Sequence, residues 1–336
     1  MKKFLPTILI ISLTIFSISC TKKQDKQDTD NQYKIGIAKV ISHPALDDVE
    51  KGISDELSSK GIKVDYDYQN ANGDINTAAS IATKFKSDNV DIMVGIGTPI
   101  AVALVNAEKN IPIVFSAITD PVSAGLVENL EKGYKNVTGA VDTIPIEAQI
   151  TEFRKIYPFK KLGFIYTSSE SNSVSMAETT KQVCDKLGIE LIQSTISNAS
   201  EVKQAAESLV GRVDAFYTVS DNSLMAGLNA LTSTALQNKI PVFGADTTSA
   251  KEGGSLYVMG FDYYNLGRAT GNIIIEILNG KKTEEIPVFS LTNPKDYETL
   301  IDLDVAKKLN INIHKELIDK ATFIIENGKL TEIKHK

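Results

Sequence analysis

The sequence has no tryptophan, only three histidines and only two cysteines in 336 residues. The cysteines, Cys20 and Cys184, leave no pair for a disulfide within the mature domain expected to start near Tyr33. His43, His314 and His335 do not stand at zinc-ligand spacing. Gly95-Ile96-Gly97 lacks the remaining glycine of a dinucleotide fingerprint, and no phosphate-cradling Gly-Lys-Ser/Thr loop is present. A Gly-x-Ser-x-Gly elbow is missing too. Basic residues number 36 against 42 acidic ones, a net charge of −6, so nucleic-acid binding, which needs a basic face, is not expected. The reading is therefore of a chain without metal, cofactor or catalytic residue, favouring binding over turnover.

The one long apolar run, Phe4–Ser19, follows Lys2 and Lys3, contains Pro6, and is shorter than the ~20 residues of a spanning helix. It reads as an export signal over 1–19. Ser17-Ile18-Ser19-Cys20 resembles a bacterial lipobox, with Ser17 where Leu is usual. That resemblance implies lipidation of Cys20 and an extracytoplasmic, membrane-anchored protein. Thr21–Gln32 holds no apolar residue and reads, with Cys20, as a tether over 20–32. Cys184 falls at helical spacing with Met176 and Leu187 and is expected as a buried small apolar residue.

From Tyr33 onward, strand and helix patterns alternate. Asp91–Gly97 and Ile111–Ile118 are apolar runs of strand length, joined by about three helical turns beginning at Thr98-Pro99. Such a βαβ unit implies parallel strands covered by helices. Before it come a strand at Lys34–Val40, a helix at Pro44–Lys60, a strand at Ile62–Tyr68 and a helix at Ile75–Ser87.

The plan then restarts. Leu162–Tyr166 echoes the first strand, and Val174–Leu187 is a helix ended by Gly188, as Pro44–Lys60 is ended by Gly61. Glycine there takes a left-handed cap at no steric cost. Ile240-Pro241-Val242-Phe243 echoes Ile111-Pro112-Ile113-Val114-Phe115. Two lobes of one α/β architecture follow, with Gly139–Pro145 as a candidate hinge. Later strands are expected at Leu256–Phe261 and Pro287–Leu291, with a helix at Tyr263–Leu278 between them and a mixture of helix and strand over Val305–Ile325.

In such sheets small ligands bind beyond the carboxyl ends of the strands. The first lobe offers His43, Leu46, Asp47, Asn70, Thr98, Pro99, Thr119 and Asp120 there. The second offers Ser168, Glu170, Asn172, Ser173, Asp221, Asn222 and Asp246. Helix starts suit a carboxylate, and Asp120, Asp221 or Asp246 suits an ammonium, so a zwitterion such as an amino acid fits both. Each residue also has a plainer use. Thr98, Ser173 and Asn222 are expected as N-caps, Asp120 and Asp246 as turn formers, His43 as a loop residue, and Tyr263-Tyr264 as packing beneath the lobes.

Taken in order, Ser42-His43-Pro44-Ala45-Leu46-Asp47, Gln69–Asp74, Gly97-Thr98-Pro99, Thr119-Asp120-Pro121, Asn136–Gly139, Glu170–Ser173, Asp221-Asn222 and Tyr264–Arg268 carry a family resemblance. The chain resembles bacterial ABC-transporter substrate-binding proteins of the tryptophan- and phenylalanine-binding lipoprotein type. The resemblance implies a type 1 periplasmic-binding fold: two doubly wound parallel-sheet lobes, a three-crossover hinge and ligand in the cleft. The lobes would be 33–141 plus 260–285 and 142–259 plus 286–336. It also implies a monomer that delivers an amino-acid-like solute to a membrane permease driven by a separate ATPase. A ligand-sensing receptor of the same fold, and an α/β enzyme such as a racemase or hydrolase, are the competing readings.

Overall fold

Ile92–Ile96 and Ile113–Ile118 are buried at every residue, as strands covered on both faces must be. They sit at the centre of a computed structural model that describes residues 1, 32–143, 145–291 and 297–333. Apart from Met1 and Gln32, the expected export signal, Cys20 and tether lie outside the described residues.

The chain first forms β1 (Tyr33–Lys39), α1 (Pro44–Ser59), β2 (Val64–Asn70), α2 (Ile75–Ser87), β3 (Ile92–Ile96), α3 (Thr98–Ala107), β4 (Ile113–Ile118) and β5 (Val137–Val141). It then forms α4 (Ile146–Ile156), β6 (Lys161–Thr167), α5 (Ser171–Leu187), β7 (Glu190–Ile196), α6 (Val202–Leu209) and β8 (Ala215–Thr218). Next come α7 (Asn222–Ala226), α8 (Leu228–Gln237), β9 (Val242–Gly244), α9 (Thr247–Ala250) and β10 (Tyr257–Phe261). The remainder is α10 (Tyr263–Leu278), β11 (Phe289–Ser290), β12 (Tyr297–Asp302), α11 (Leu303–Leu309), α12 (Lys315–Lys320), β13 (Phe323–Glu326) and β14 (Lys329–Glu332).

Two sheets result. The first is six-stranded, ordered β11-β5-β4-β3-β1-β2, and parallel throughout. The second is eight-stranded, ordered β14-β13-β12-β10-β9-β8-β6-β7. It departs from the expected all-parallel lobe, because β12 runs antiparallel to β10 and β14 antiparallel to β13. The chain passes between the sheets after β5, between β10 and α10, and between β11 and β12. One expected boundary moves. Ile286 and Val288 join the first core and β11 pairs with β5, so the stretch from Ile286 to Ser290 extends the first lobe, where the second was expected.

Further differences lie at the hinge. Val137–Val141, half of which was assigned to a hinge, is a fully buried strand. α4 follows it, burying Ile146, Gln149, Ile150, Phe153 and Ile156 at helical spacing. The glycine caps are as expected: Gly61 and Gly188 take φ of 73° and 67°. Cys184 is fully buried, and burial pushes its thiol up to about 11, so it is an inert core residue.

α10 returns to the first lobe by packing closely on α1. A Cβ on Gly52 would lie 2.2 Å from the Tyr264 carbonyl oxygen, and one on Gly267 would lie 2.3 Å from that of Val49. Beside this crossing Arg268 pairs with the buried Glu56 at 2.6 Å. Backbones this close admit no methyl group without a shift, and overpacking costs about 1–3 kcal/mol. Gly267→Ala should therefore lower the melting temperature by several degrees in calorimetry, and an unchanged melting point would contradict this packing.

Candidate functional site

Residues that follow β1, β3 and β4 meet residues that follow β6, β8 and β9, so the carboxyl ends of both sheets face one cleft. Ser175 on α5 donates to Asp120 Oδ2 at 3.2 Å across it. A Cβ on Gly97, which has φ 95°, would lie 3.3 Å from Asn222 Oδ1. The lobes thus touch.

Three spaces surround this contact. The largest, ≈ 330 Å³, lies on the hinge side, within the range of small-molecule sites. Its lining mixes polar residues, Thr119, Asp120, Asp142, Ser175 and Ser220, with the apolar Pro121, Val122, Leu130, Ile146 and Met176. A second, ≈ 190 Å³, lies between Ala71, Ile75 and Pro99 on one lobe and Ser169, Glu170 and Ser223 on the other. A third, ≈ 130 Å³, separates Ser42, His43 and Pro44 from Met225, Leu228 and Ser249.

Several expected residues are gathered here. Thr98 is buried with its hydroxyl unpartnered, and Asn172 is buried with Oδ1 unpartnered while Nδ2 donates to the Ser220 carbonyl at 3.2 Å. Both ring nitrogens of His43 are buried without a hydrogen-bond partner, facing Asn222. Burial pushes this imidazole down to about 4, against the pull of Asp47 and Asp221, so it is neutral at pH 7. Thr248, on α9, also has an unpartnered buried hydroxyl. Buried polar atoms ordinarily have partners, so atoms that lack one are candidates for ligand contact.

The carboxylates divide by role. Asp246 caps α9, accepting from the Ser249 N–H at 3.0 Å and from its hydroxyl. Burial raises its pKa despite those bonds. Asp142 is buried where the chain first crosses between the lobes, accepting from the Tyr263 hydroxyl at 2.8 Å and Thr119 at 3.3 Å, and burial raises it as well. Asp120 forms a turn, accepting from the Ser123 N–H at 2.9 Å. Burial pushes it up, but the bonds from Ser123 and Ser175 outweigh this and hold it below its ordinary value. Asp221 is spent inside its own lobe, accepting from Thr167 and from the Leu224 N–H at 2.8 Å.

Other expected contacts are engaged elsewhere. Leu46 packs in the first core. Asp47 is exposed and pairs with Lys39 at 2.6 Å. Asn70 accepts from the Asn72 N–H at 2.8 Å, shaping a turn. Ser168 is exposed, and Ser173 is fully buried beside Asn172. Glu170 points at α7 and accepts from Asn222 and Ser223. The expected caps shift by one to three residues: Gly97, Glu170 and Asp221 hold the N-cap positions ahead of Thr98, Ser173 and Asn222.

The comparisons follow this geometry. The family model for ABC transporter substrate binding protein matches residues 34–325. The chain belongs to the ABC transporter substrate-binding protein family. Members of this family act outside the cytoplasm, and among the described residues no helix is long and apolar enough to cross a membrane. A tyrosine-binding protein from Clostridioides difficile is 38% identical over 298 residues, 87% of this chain and 85% of its own. A solved domain from Streptococcus pneumonia in complex with L-Trp is 31% identical, covers 88% of this chain and 100% of its own, and has a TM-score of 0.83. The ligand-free, open structure of a substrate-binding protein with adhesive properties from Clostridium difficile is 35% identical, covers 84% and 96%, and has a TM-score of only 0.63. At similar identity, this chain matches the L-Trp complex better than the open form, in keeping with lobes that touch. The fold is the two-lobed type 1 periplasmic-binding architecture.

Some cleft residues escaped the sequence reading. Asp142 lay inside the expected hinge. Ser220 and Ser175 are single hydroxyls in loop and helix with no distinguishing spacing. Ala117 takes φ 53° at a register shift between Phe115 and Ile118, a bulge of the kind that re-aims backbone groups beside sites. Tyr263 does pack beneath the lobes, but its hydroxyl joins Asp142 of the first crossover to Ser220 of the second lobe, at 2.8 and 3.2 Å. Removing that hydroxyl leaves a buried carboxylate short of a donor, a loss of about 1–3 kcal/mol. Tyr263→Phe should lower the melting temperature by several degrees, and an unaltered thermal scan would count against the network.

Proposed function

We propose that this family member is an extracytoplasmic solute-binding lipoprotein that captures a zwitterionic aromatic amino acid between its lobes and delivers it to a permease. The observation that carries the reading is the hinge-side space, lined both by carboxylates and hydroxyls and by the apolar Val122, Leu130, Ile146 and Met176. The ammonium would meet Asp142 and Asp246, whose raised pKa values mark carboxylates in want of a counter-charge. The carboxylate would lie near the starts of α3 and α7, with Thr98 and Asn222. The side chain would lie against the apolar residues of the hinge-side space. The printed ligands of two relatives, tyrosine and L-Trp, support an aromatic solute. Ligand held by both lobes favours the closed form, and only this differential affinity can shift the population. Lipidation at Cys20 would hold the protein at the membrane beside its permease; Cys20→Ala should release it into the medium or periplasm.

Calorimetric titration with L-tyrosine, L-tryptophan and L-phenylalanine tests the reading, with mass spectrometry of whatever co-purifies. Absence of binding to all three, with a non-aromatic solute co-purifying, would refute it. Asn caps helices as well as Asp, so Asp246→Asn should raise the dissociation constant about tenfold or more, equivalent to 1.4 kcal/mol, with little change in melting temperature. The pH dependence has a fixed sign. A bound ammonium favours the ionised carboxylates, so affinity is full above their raised pKa values and falls as pH drops through them. Binding should weaken as pH is lowered, and Asp246→Asn should flatten that dependence.

A further inference from the structure

Glu170 is 5% exposed and stands at the N-cap position of α5, yet it caps nothing there. Its carboxylate crosses to α7 instead. One oxygen accepts from the Asn222 N–H at 3.3 Å and from Asn222 Nδ2; the other accepts from the Ser223 N–H at 3.2 Å and the Ser223 hydroxyl at 2.9 Å. Four donors on two consecutive residues therefore converge on one side chain.

With N–H and O–H donors on both of its oxygens, the Glu170 carboxyl acts towards α7 as an acceptor. Its bond to Nδ2 thus fixes which way the Asn222 amide faces. The nitrogen turns inward to Glu170, and Oδ1 turns out to the first lobe, where it stands against Gly97. His43, with both ring nitrogens buried and unpartnered, faces the same amide from the start of α1. We infer that Glu170 is a positioning residue for closure: through α7 it presents the Asn222 side-chain oxygen to the opposite lobe, beside Gly97 and as an acceptor for His43. This deepens the proposed function and rests on it, since closure has a purpose only if a ligand is enclosed.

The cost of keeping this group supports a use for it. Burial and the neighbouring Asp221 push the Glu170 carboxyl up to about 7. A buried carboxylate beside another is a poor way to stabilise a fold. Asp221 already caps the same helix through Leu224 and ties it to Thr167. Glu170 adds what Asp221 does not, the orientation of the Asn222 side chain.

The test exploits donor and acceptor polarity. Glu170→Gln places an amide where the acceptor was, which allows the Asn222 amide to turn over and aim its NH₂ at the first lobe. Glu170→Gln combined with Asn222→Asp reverses the pair: the new amide donates to the new carboxylate on α7, whose other oxygen again faces Gly97 and His43. Fluorophore pairs on the two lobes of the full chain, read as interlobe distance distributions without ligand and with L-tyrosine, report closure directly. Glu170→Gln should reduce the closed fraction without ligand at least threefold and weaken L-tyrosine binding about tenfold, and the double variant should recover most of the closed fraction without ligand. A role confined to fold stability would instead lower the melting temperature of Glu170→Gln, leave its distance distribution unchanged and give no recovery in the double variant; that result overturns the inference. If the wild type fails to close on L-tyrosine, the proposed function fails, whereas the distributions without ligand still decide the role of Glu170.

Discussion

A carboxylate taken out of water must find donors or a counter-charge, and the cleft of this protein is arranged around four of them. Asp142, Glu170, Asp221 and Asp246 are each buried to at least nine-tenths. Asp221 has three internal donors and Glu170 four. Asp142 and Asp246 have fewer donors and no cation in contact. The two well-served groups build the second lobe's surface, and the two under-served ones lie where a charged solute would be most welcome.

The same constraint explains how weakly the lobes hold each other. Among the described residues the polar contacts across the cleft are few: Ser175 to Asp120, Ser220 to Tyr263, the Asn222 side-chain oxygen against Gly97, and His43 facing Asn222. Most polar groups are committed within their own lobe, through the caps of α7 and α9 and the turn after β4. A contact surface rich in internally satisfied groups can separate without leaving bare charges. That is what a hinge protein needs, because both open and closed forms must be tolerable and the ligand must decide between them.

Much of the fold was legible because buried strands and glycine caps leave marks that periodicity reads. The βαβ unit around β3 and β4, the echo in β6 and β9, and the caps at Gly61 and Gly188 are local signals. The antiparallel β12 and β14 were not legible, since strand direction follows from where the chain returns, and a short strand reads the same either way. β11 was given to the wrong lobe for the same reason. Around the cleft, position after a strand picked out residues that the fold does bring near it, Thr98, Asn172, Asn222 and Asp246 among them. It could not tell a side chain turned into the cleft from one spent nearby, as Leu46, Asp47, Asn70 and Asp221 are. Asp142 was hidden because it directly follows a short strand whose last residues, Gly139–Val141, read equally as a hinge.

Asp142 also shows why binding and bending are one problem here. It sits at the first crossover, lines the hinge-side space, and accepts from Tyr263, the first residue of α10 after the second crossover. Tyr263 in turn reaches Ser220, which lines that space from the second lobe. A cation placed against Asp142 alters the charge balance of the group that ties two crossovers together. A ligand charge held there would act on the pivot directly, with no relay through the cores. A neutral solute of the same shape could fill the space and still leave the pivot as it was. Selectivity for a charged head group and the ability to drive closure would then arise from a single carboxylate.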